Sequence, residues 1–361
     1  SVSRRGSTWS GSSLREVDDM GGRVRQAILM VGGKGTRLLP LTENKPKPML
    51  SVADRPCIWY LIRSMARAGI EEVILACGYK PGMMEALGDG SDLGVRIIYS
   101  YEDEPRGTAG AMKLAQSRMD DTFVAANGDV FADLDVSGEI ERHLETGAAV
   151  TDLLTPVDNP CEYGIAHVDD ELRISEFKDK PRPEEVFSNL INAGVYVVQR
   201  DVLDLIPEGE FSDFSMHIIP KVIEAGRRVQ GFELSGLWMD VGRPHDLLRA
   251  NLTVAAREFG DGFPGDLLRT EVVGTAYVGH GASVSDSMMS DAVVLRGSKV
   301  SGSRLRHTLV MDGCSVDGAD IEDSILGDGC RVGKGAVIRN AVLADGTDVP
   351  PGAVIDGGRV V

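Results

Sequence analysis

The stretch RQAILMVGGKGTRLLPLTENKPKPML, residues 25–50, runs from a short apolar segment into a loop carrying three glycines, Lys34, Arg37, Lys45 and Lys47. A short apolar run bounded by glycine reads as a buried strand. A glycine turn at its carboxyl end lies where open α/β sheets bind their ligands. The neighbouring segments keep the same alternation. RPCIWYLIRSMARAGI predicts a helix that starts near Pro56, where proline fits the first turn, and stops at Gly69. EEVILAC is the next strand, GTAGAMKLAQ opens another helix, and TFVAANGDV is a strand ending in a polar turn. Strands alternating with helices predict an α/β domain with a Rossmann-like, mostly parallel sheet covered on both faces, spanning residues 24–258.

From about residue 271 the pattern changes. Val278, Val284 and Met289 are followed by Val294, Val300 and Leu305, by Val310, Val316 and Ile321, and by Leu326, Val332 and Val337. A last set, Leu343, Val349 and Val354, starts one residue late. Steps of six, five and five residues recur about every sixteen, with Gly and Asp in many gaps. Such a short repeat implies stacked coils. One apolar residue on each of three faces predicts a β-helix over residues 271–361. Ordinary hairpins would need a period-two alternation, which is weak here.

The chain of 361 residues is 42% hydrophobic and 26% charged, ordinary for a globular protein with two domains and a sizeable core. Its net charge of −17 argues against a nucleic-acid or anionic-membrane surface, but leaves room for a local cationic pocket. No apolar run reaches the roughly 20 residues that span a bilayer. The five cysteines are scattered, without a C-x-x-C or a Cys/His cluster, which predicts reduced thiols in a cytoplasmic protein. Residues 1–23, rich in Ser, Gly and Arg and lacking an apolar core, read as a flexible tail and not as a secretory signal.

Glycines let backbone N–H groups approach phosphate oxygens, and Arg37 offers a planar fork to them. The loop is neither a P-loop nor a dinucleotide fingerprint, because Lys34 is followed by Gly35 and Leu38 stands where the third glycine would be. A purely structural turn remains open on this loop alone. Lys47 lies between Pro46 and Pro48, so a stiff segment aims its ammonium. Asp129 and Asp240 each follow an apolar stretch and precede a turn. Either alone fits a turn-capping Asp. As a pair they suit one Mg2+ shared with substrate phosphates.

The ordered set VGGKGTRLLPLT…KPKPML, GTAGA, NGDV, YGIAHVD…ISEFKDKP, NAGVYVV and WMDVGRPHDLLRAN resembles the sugar-1-phosphate nucleotidylyltransferases over residues 25 to about 255. The trailing hexapeptide-like repeat resembles the left-handed β-helix of many members. The resemblance implies that Gly32, Gly33, Gly35 and Thr36 wrap a triphosphate, with Arg37 on the phosphates and Lys47 near the α-phosphate. By the same motifs Val31, Gly107, Thr108, Gly110 and Gly128 belong to the nucleotide side, and Asp129 and Asp240 to Mg2+. Lys180 takes the sugar phosphate, while Tyr163, Gly164, Asp179, Asn192 and Gly194 line the sugar pocket. Asp179 departs from the usual Glu and is one methylene shorter.

In the implied reaction a sugar-phosphate oxygen attacks the α-phosphorus of the nucleotide and pyrophosphate leaves. Both reactants are polyanions, so catalysis is expected to rest on positioning and neutralisation. Two features point to GTP. Val31 resembles one group of mannose-1-phosphate guanylyltransferases, and the carboxylate of Glu102 can accept both N1–H and N2–H of guanine. Glu102 also reads as one member of the acidic run YEDEP. Mannose 1-phosphate is the expected sugar; glucose 1-phosphate or a cyclitol phosphate stays open. A homo-oligomer is expected. Two rival readings are a non-catalytic subunit, disfavoured because Arg37, Lys47, Asp129 and Asp240 are all present, and a bifunctional enzyme whose β-helix is an acyltransferase, disfavoured because His280 and His307 each sit in a polar gap.

Overall fold

The computed structural model describes residues 23–260 and 262–360. The expected tail, apart from Arg23, lies outside the described residues. Four parallel strands lie side by side in the order Arg96–Tyr101, Glu72–Cys77, Gln26–Met30, Thr122–Asn127. The sheet continues through Leu190–Gln199, which pairs with Val150–Pro156, and Val229–Glu233 pairs in turn with that strand. Gly164–Val168 and Ile174–Asp179 form a hairpin on the same edge. Leu190–Gln199 and Ile174–Asp179 run against the others. The sheet is therefore mostly parallel, as expected, with one antiparallel strand inserted into its row.

The Gln26–Met30 strand is buried throughout, and its side chains alternate between two cores. Ala27 and Leu29 pack with Ile58, Leu61, Ile62 and Met65 of the helix Cys57–Arg67. Ile28 and Met30 pack with Ala109, Met112 and Ala115 of the helix Gly107–Ala115. The first helix begins directly after Pro56 and is followed by Gly69 at φ 87°, as its sequence predicts.

The second half stacks two six-stranded parallel sheets. Short strands such as Ser283–Ser285, Lys299–Ser301 and Ser315–Asp317 form one, and Met288–Val294, Arg304–Val310 and Asp320–Leu326 belong to the other. The long strands bend at Asp291, His307, Asp323 and Asn340, all with φ between 44° and 50°. Asp, Asn and His are among the non-glycine residues that tolerate this left-handed region best. The bend gives each coil its third face, and the β-helix expected from the repeat is present.

The repeat is misread at two positions. Val337 is only partly buried and Val354 is 71% exposed; Ile338 and Ile355 fill the inward places instead. Register shows why: Ile321 pairs with Ile338 and Ile338 with Ile355, while Val332 pairs with Val349. The extra residue therefore sits in the turn after Val332, one step earlier than the spacing of Leu343 implies.

The outward residues Tyr277, Val293, Leu309 and Ile325 form an apolar stripe along the β-helix. That stripe packs against Leu247, Leu248 and Val254 of the helix Pro244–Val254, and against Leu38, Leu41 and Leu50 of the glycine-rich segment. The β-helix is thus built directly onto the loop that opened the sequence.

Candidate active site

Three chain segments deliver the charged centre. The loop after Gln26–Met30 carries Lys47 on a single helical turn, Lys47–Met49. The turn after Thr122–Asn127 carries Asp129, and the strand Gly236–Asp240 ends in Asp240. Gly236–Asp240 pairs with Val130–Leu134, which brings Asp240 opposite Val130 and so beside Asp129. Lys47 is 6% exposed, and its Nζ lies 3.2 Å from Asp129 Oδ2 and 3.5 Å from Asp240 Oδ1. Gly35, at φ 61°, allows this approach: a Cβ there would stand 3.0 Å from Lys47 Cβ. Arg37 is half exposed, with Nη1 3.5 Å from Glu162 Oε2 and Nη2 4.0 Å from Asp240 Oδ2.

Burial raises the Asp240 carboxyl above the usual carboxylate range; Lys47 opposes the shift and the like charge of Asp129 adds to it. Two carboxylates converging on one cationic nitrogen form an all-oxygen donor pair suited to a hard divalent cation. Among the described residues no third Asp, Glu, His or Cys joins them. Phosphate and water oxygens would have to complete such a site, as is usual for Mg2+.

Two clefts adjoin this centre. One, of about 310 Å³, is lined by Gly32, Gly33, Glu102, Gly107 and Thr108. The other, of about 370 Å³, is lined by Tyr163, Gly164, Asp179, Lys180, Asn192 and Gly194, and also by Arg37 and Asp240. Both share Asn127, Asp129, Phe211 and Asp213. All six residues assigned to the sugar side from the sequence thus line one cavity. The antiparallel strand Leu190–Gln199 makes this possible, since its irregularity between Asn192 and Tyr196 carries Gly194 at φ 77° against Asn127.

Several side chains in the clefts have specific local constraints. Lys180 adopts φ 44°, a strained conformation for lysine, and its N–H donates to the Tyr163 carbonyl at 2.8 Å. Asp179 is shifted upward by burial, with Lys180 opposing. Asn192 is internally engaged, donating to the Tyr196 hydroxyl at 2.6 Å and accepting from Gly194 N–H at 2.6 Å. Glu102 Oε1 and Asn127 Oδ1 are buried without a hydrogen-bond partner among the described residues. Burial also raises Glu102, against the attraction of Arg106. Unpaired acceptors inside a cleft mark places for donors from a ligand.

Other nucleotide-side residues lie outside both clefts. Val31 is 1% exposed, its side chain turned into the core against Gly128, where a Cβ would overlap Val31 Cγ1. The Val31 side chain therefore does not reach a base. Gly110 is buried against Arg106 Cβ. Gly35 and Thr36 shape the loop and do not line the clefts. The Thr108 hydroxyl donates to Asp213 Oδ2 at 3.0 Å and accepts from Phe214 N–H at 2.8 Å, tying the helix to the segment after Glu210. Sequence reading missed Asn127, Phe211, Asp213 and Trp238 as lining residues. Asn127 and Trp238 stood inside motifs already singled out; PEGEFSDF carried no periodic signal that would have shown Phe211 and Asp213.

The nucleotidyl transferase family model matches residues 26–257, and the GlmU-like C-terminal hexapeptide model matches residues 275–358. The mannose-1-phosphate guanylyltransferase of Mycobacterium tuberculosis is 37% identical over 285 residues, covering 74% of this chain and 79% of the relative. The mannose-1-phosphate guanyltransferase of Candida albicans is 37% identical over 230 residues, covering 62% of each chain. The Drosophila melanogaster catalytic subunit beta of that enzyme is 35% identical, again over 62% of its own length. The chain thus spans less than two thirds of the yeast and fly relatives. Among solved structures, a Bacillus anthracis protein assigned as a glucose-1-phosphate thymidylyltransferase, in complex with sucrose, matches 66% of this chain at TM-score 0.59 and 27% identity, over 98% of its own length. HddC from Yersinia pseudotuberculosis, complexed with GMP-PN, matches 63% of this chain at TM-score 0.54 and 25% identity, over 98% of its own length.

Proposed function

Because the chain belongs to the nucleotidyl transferase family, we propose that it transfers GMP from GTP to mannose 1-phosphate, releasing pyrophosphate. The observation that carries this reading is the position of Asp129, beside Lys47 and Asp240, in the wall common to two adjoining clefts. A nucleotide in the Gly32–Glu102 cleft and a sugar phosphate in the Tyr163–Lys180 cleft would meet there. A phosphate oxygen of the sugar attacks the α-phosphorus, the bond from the α-phosphorus to the bridging oxygen breaks, and its electron pair leaves with pyrophosphate. The attacking phosphate is already ionised near neutrality, so no general base is required.

Lys47 and Arg37 neutralise the nucleotide phosphates and Lys180 holds the sugar phosphate, which lowers the repulsion between two polyanions. Mg2+ is the cofactor in this reading: Asp129 and Asp240 would hold it, and it would supply further neutralisation of phosphate charge. The choice of guanine rests on Glu102, a residue of the nucleotide cleft wall with an unpaired carboxylate oxygen, and on relatives named as guanylyltransferases. The shorter Asp179 favours keeping glucose 1-phosphate or a cyclitol phosphate as the second reading of the sugar. The reading also takes residues 24–258 as the catalytic domain, 271–361 as the β-helix domain, and the enzyme as a cytoplasmic homo-oligomer; among the described residues no helix is long and apolar enough to cross a membrane.

The β-helix is assigned no acyl transfer. His280 Nδ1 lies 3.1 Å from Asp54 and His307 Nδ1 lies 2.7 Å from Asp323, each on an exposed side chain. Pyrophosphate release with Mg2+, across GTP, ATP, UTP, CTP and dTTP with mannose 1-phosphate or glucose 1-phosphate, tests the reading. Release only with another base would overturn the Glu102 argument and keep the reaction. Steady thiol release from acetyl-CoA with an amino sugar would overturn the assignment of the β-helix.

A further inference from the structure

A second charged cluster lies where the cationic loop meets the β-helix. Asp312, Asp328 and Asp345 occupy the same corner of successive coils. Asp312 N–H donates to Asp328 Oδ1 at 3.3 Å, and Asp328 N–H donates to Asp345 Oδ1 at 2.9 Å. Lys45 enters this corner from the catalytic domain. Its side chain is 11% exposed, its ammonium pairs with Asp328, and its charge acts on Asp312 and Asp345 as well. Ser51 Oγ donates to Asp312 Oδ2 at 3.4 Å. At the other end of the loop, Arg359 Nη2 donates to the backbone carbonyl of Arg37 at 2.8 Å.

The β-helix therefore grips this segment at Arg37, Lys45 and Ser51. The two groups assigned to the phosphates, Arg37 and Lys47, lie at or within two residues of these anchors. Pro46 and Pro48 flank Lys47, so fixing the Lys45 side chain restricts the direction in which the next residues leave. Loose placement by about 1 Å near a reacting centre can cost about 10²-fold in rate.

We propose that the C-terminal β-helix is a positioning element for catalysis: the Lys45–Asp328 pair and the hydrogen bond from Arg359 to the Arg37 carbonyl hold the loop so that Arg37 faces the sugar-side cleft and Lys47 stays beside Asp129 and Asp240. Lys45, Asp328 and Arg359 are positioning residues; they line neither cleft. The catalytic consequence rests on the function proposed above, whereas the anchoring of the loop does not.

The test pairs two readouts on the full chain: pyrophosphate-release kinetics, and hydrogen exchange of the amides from 37 to 50. The variants are Lys45→Met, Asp328→Asn, Arg359→Ala and the charge swap Lys45→Asp with Asp328→Lys. Arg331→Ala, which removes an exposed ion pair elsewhere on the β-helix, is the control. In the three single variants kcat is expected to fall about 10-fold with KM changing less, and loop amides to exchange about 10-fold faster while the Gln26–Met30 strand stays protected. The charge swap should recover part of both losses, and Arg331→Ala should change neither. Arg359 is exposed, so its variant remains informative if Asp328→Asn fails to fold. Folded single variants with unchanged kcat and unchanged loop exchange overturn the proposal. A wild-type protein that releases no pyrophosphate defeats the proposed function instead, and loop exchange still decides the anchoring.

Discussion

Replacing Lys47 by Met removes one ammonium from between two carboxylates while keeping most of the side-chain volume. At 3.2 and 3.5 Å, and with an effective dielectric near 20, each attraction is worth about 5 kcal/mol before solvation is counted. Most of that is offset in the folding balance. The lysine is nearly buried and loses its hydration on folding, whereas the Asp129 side chain is 50% exposed and can regain water when the lysine is gone. Asp240, at 21% exposure, is left a largely buried carboxylate without its cation, so thermal stability should fall by about 1–3 kcal/mol. Activity has no such offset. A preorganised charged donor at the reacting phosphorus is worth about 2.7–4 kcal/mol of barrier, or about 10²–10³ in kcat. Steady-state pyrophosphate release with saturating substrates reads that loss, and thermal unfolding reads the other side. A folded Lys47→Met protein with kcat within about 5-fold of wild type would refute the reasoning.

Three further outcomes are expected. Glu102→Gln leaves one carbonyl oxygen where guanine presents two donors, so kcat/KM for GTP should drop about 10- to 100-fold while ATP use changes little; equal losses for both would sink the base assignment. Gly128→Ala drives a Cβ into Val31 Cγ1 and should cost about 1–3 kcal/mol in thermal or denaturant unfolding, recovered in part by adding Val31→Ala. Asp312 is pushed up to about 6, first by burial and then by the like charges of Asp328 and Asp54, against Lys45 and Arg296. A folded-state value above the ordinary 3.8 means that folding favours the protonated form, so its contribution is present at low pH and lost as pH rises through about 6. Asp312→Asn should accordingly raise the melting temperature more at pH 8 than at pH 4, and a pH-independent difference would contradict this.

The core of the fold was legible because local pattern and tertiary role agree there. Gln26–Met30 is a short apolar run flanked by polar residues and glycine, and it became the central parallel strand. The sixteen-residue repeat became stacked coils because inward apolar positions are set by chain geometry alone. The misreading of Val337 and Val354 for Ile338 and Ile355 arose because two adjacent apolar residues make a single-residue insertion invisible to spacing; pairing register resolved it. The sugar-side motifs line one cleft because the hairpin Gly164–Val168/Ile174–Asp179 lies next to the irregular strand Leu190–Gln199.

By itself the sequence determined the α/β sheet and the coil repeat, which follow from short-range periodicity that survives in a linear string; the roles of Arg37, Lys47, Asp129 and Asp240 were implied by the order of the motifs. Only the tertiary structure decided that Val31 faces the core and not a ligand, that Phe211 and Asp213 join the two clefts, and that Lys45 is held by Asp328 across 283 positions of sequence. Side-chain direction and long-range pairing depend on how separate elements pack, and no local spacing encodes that geometry.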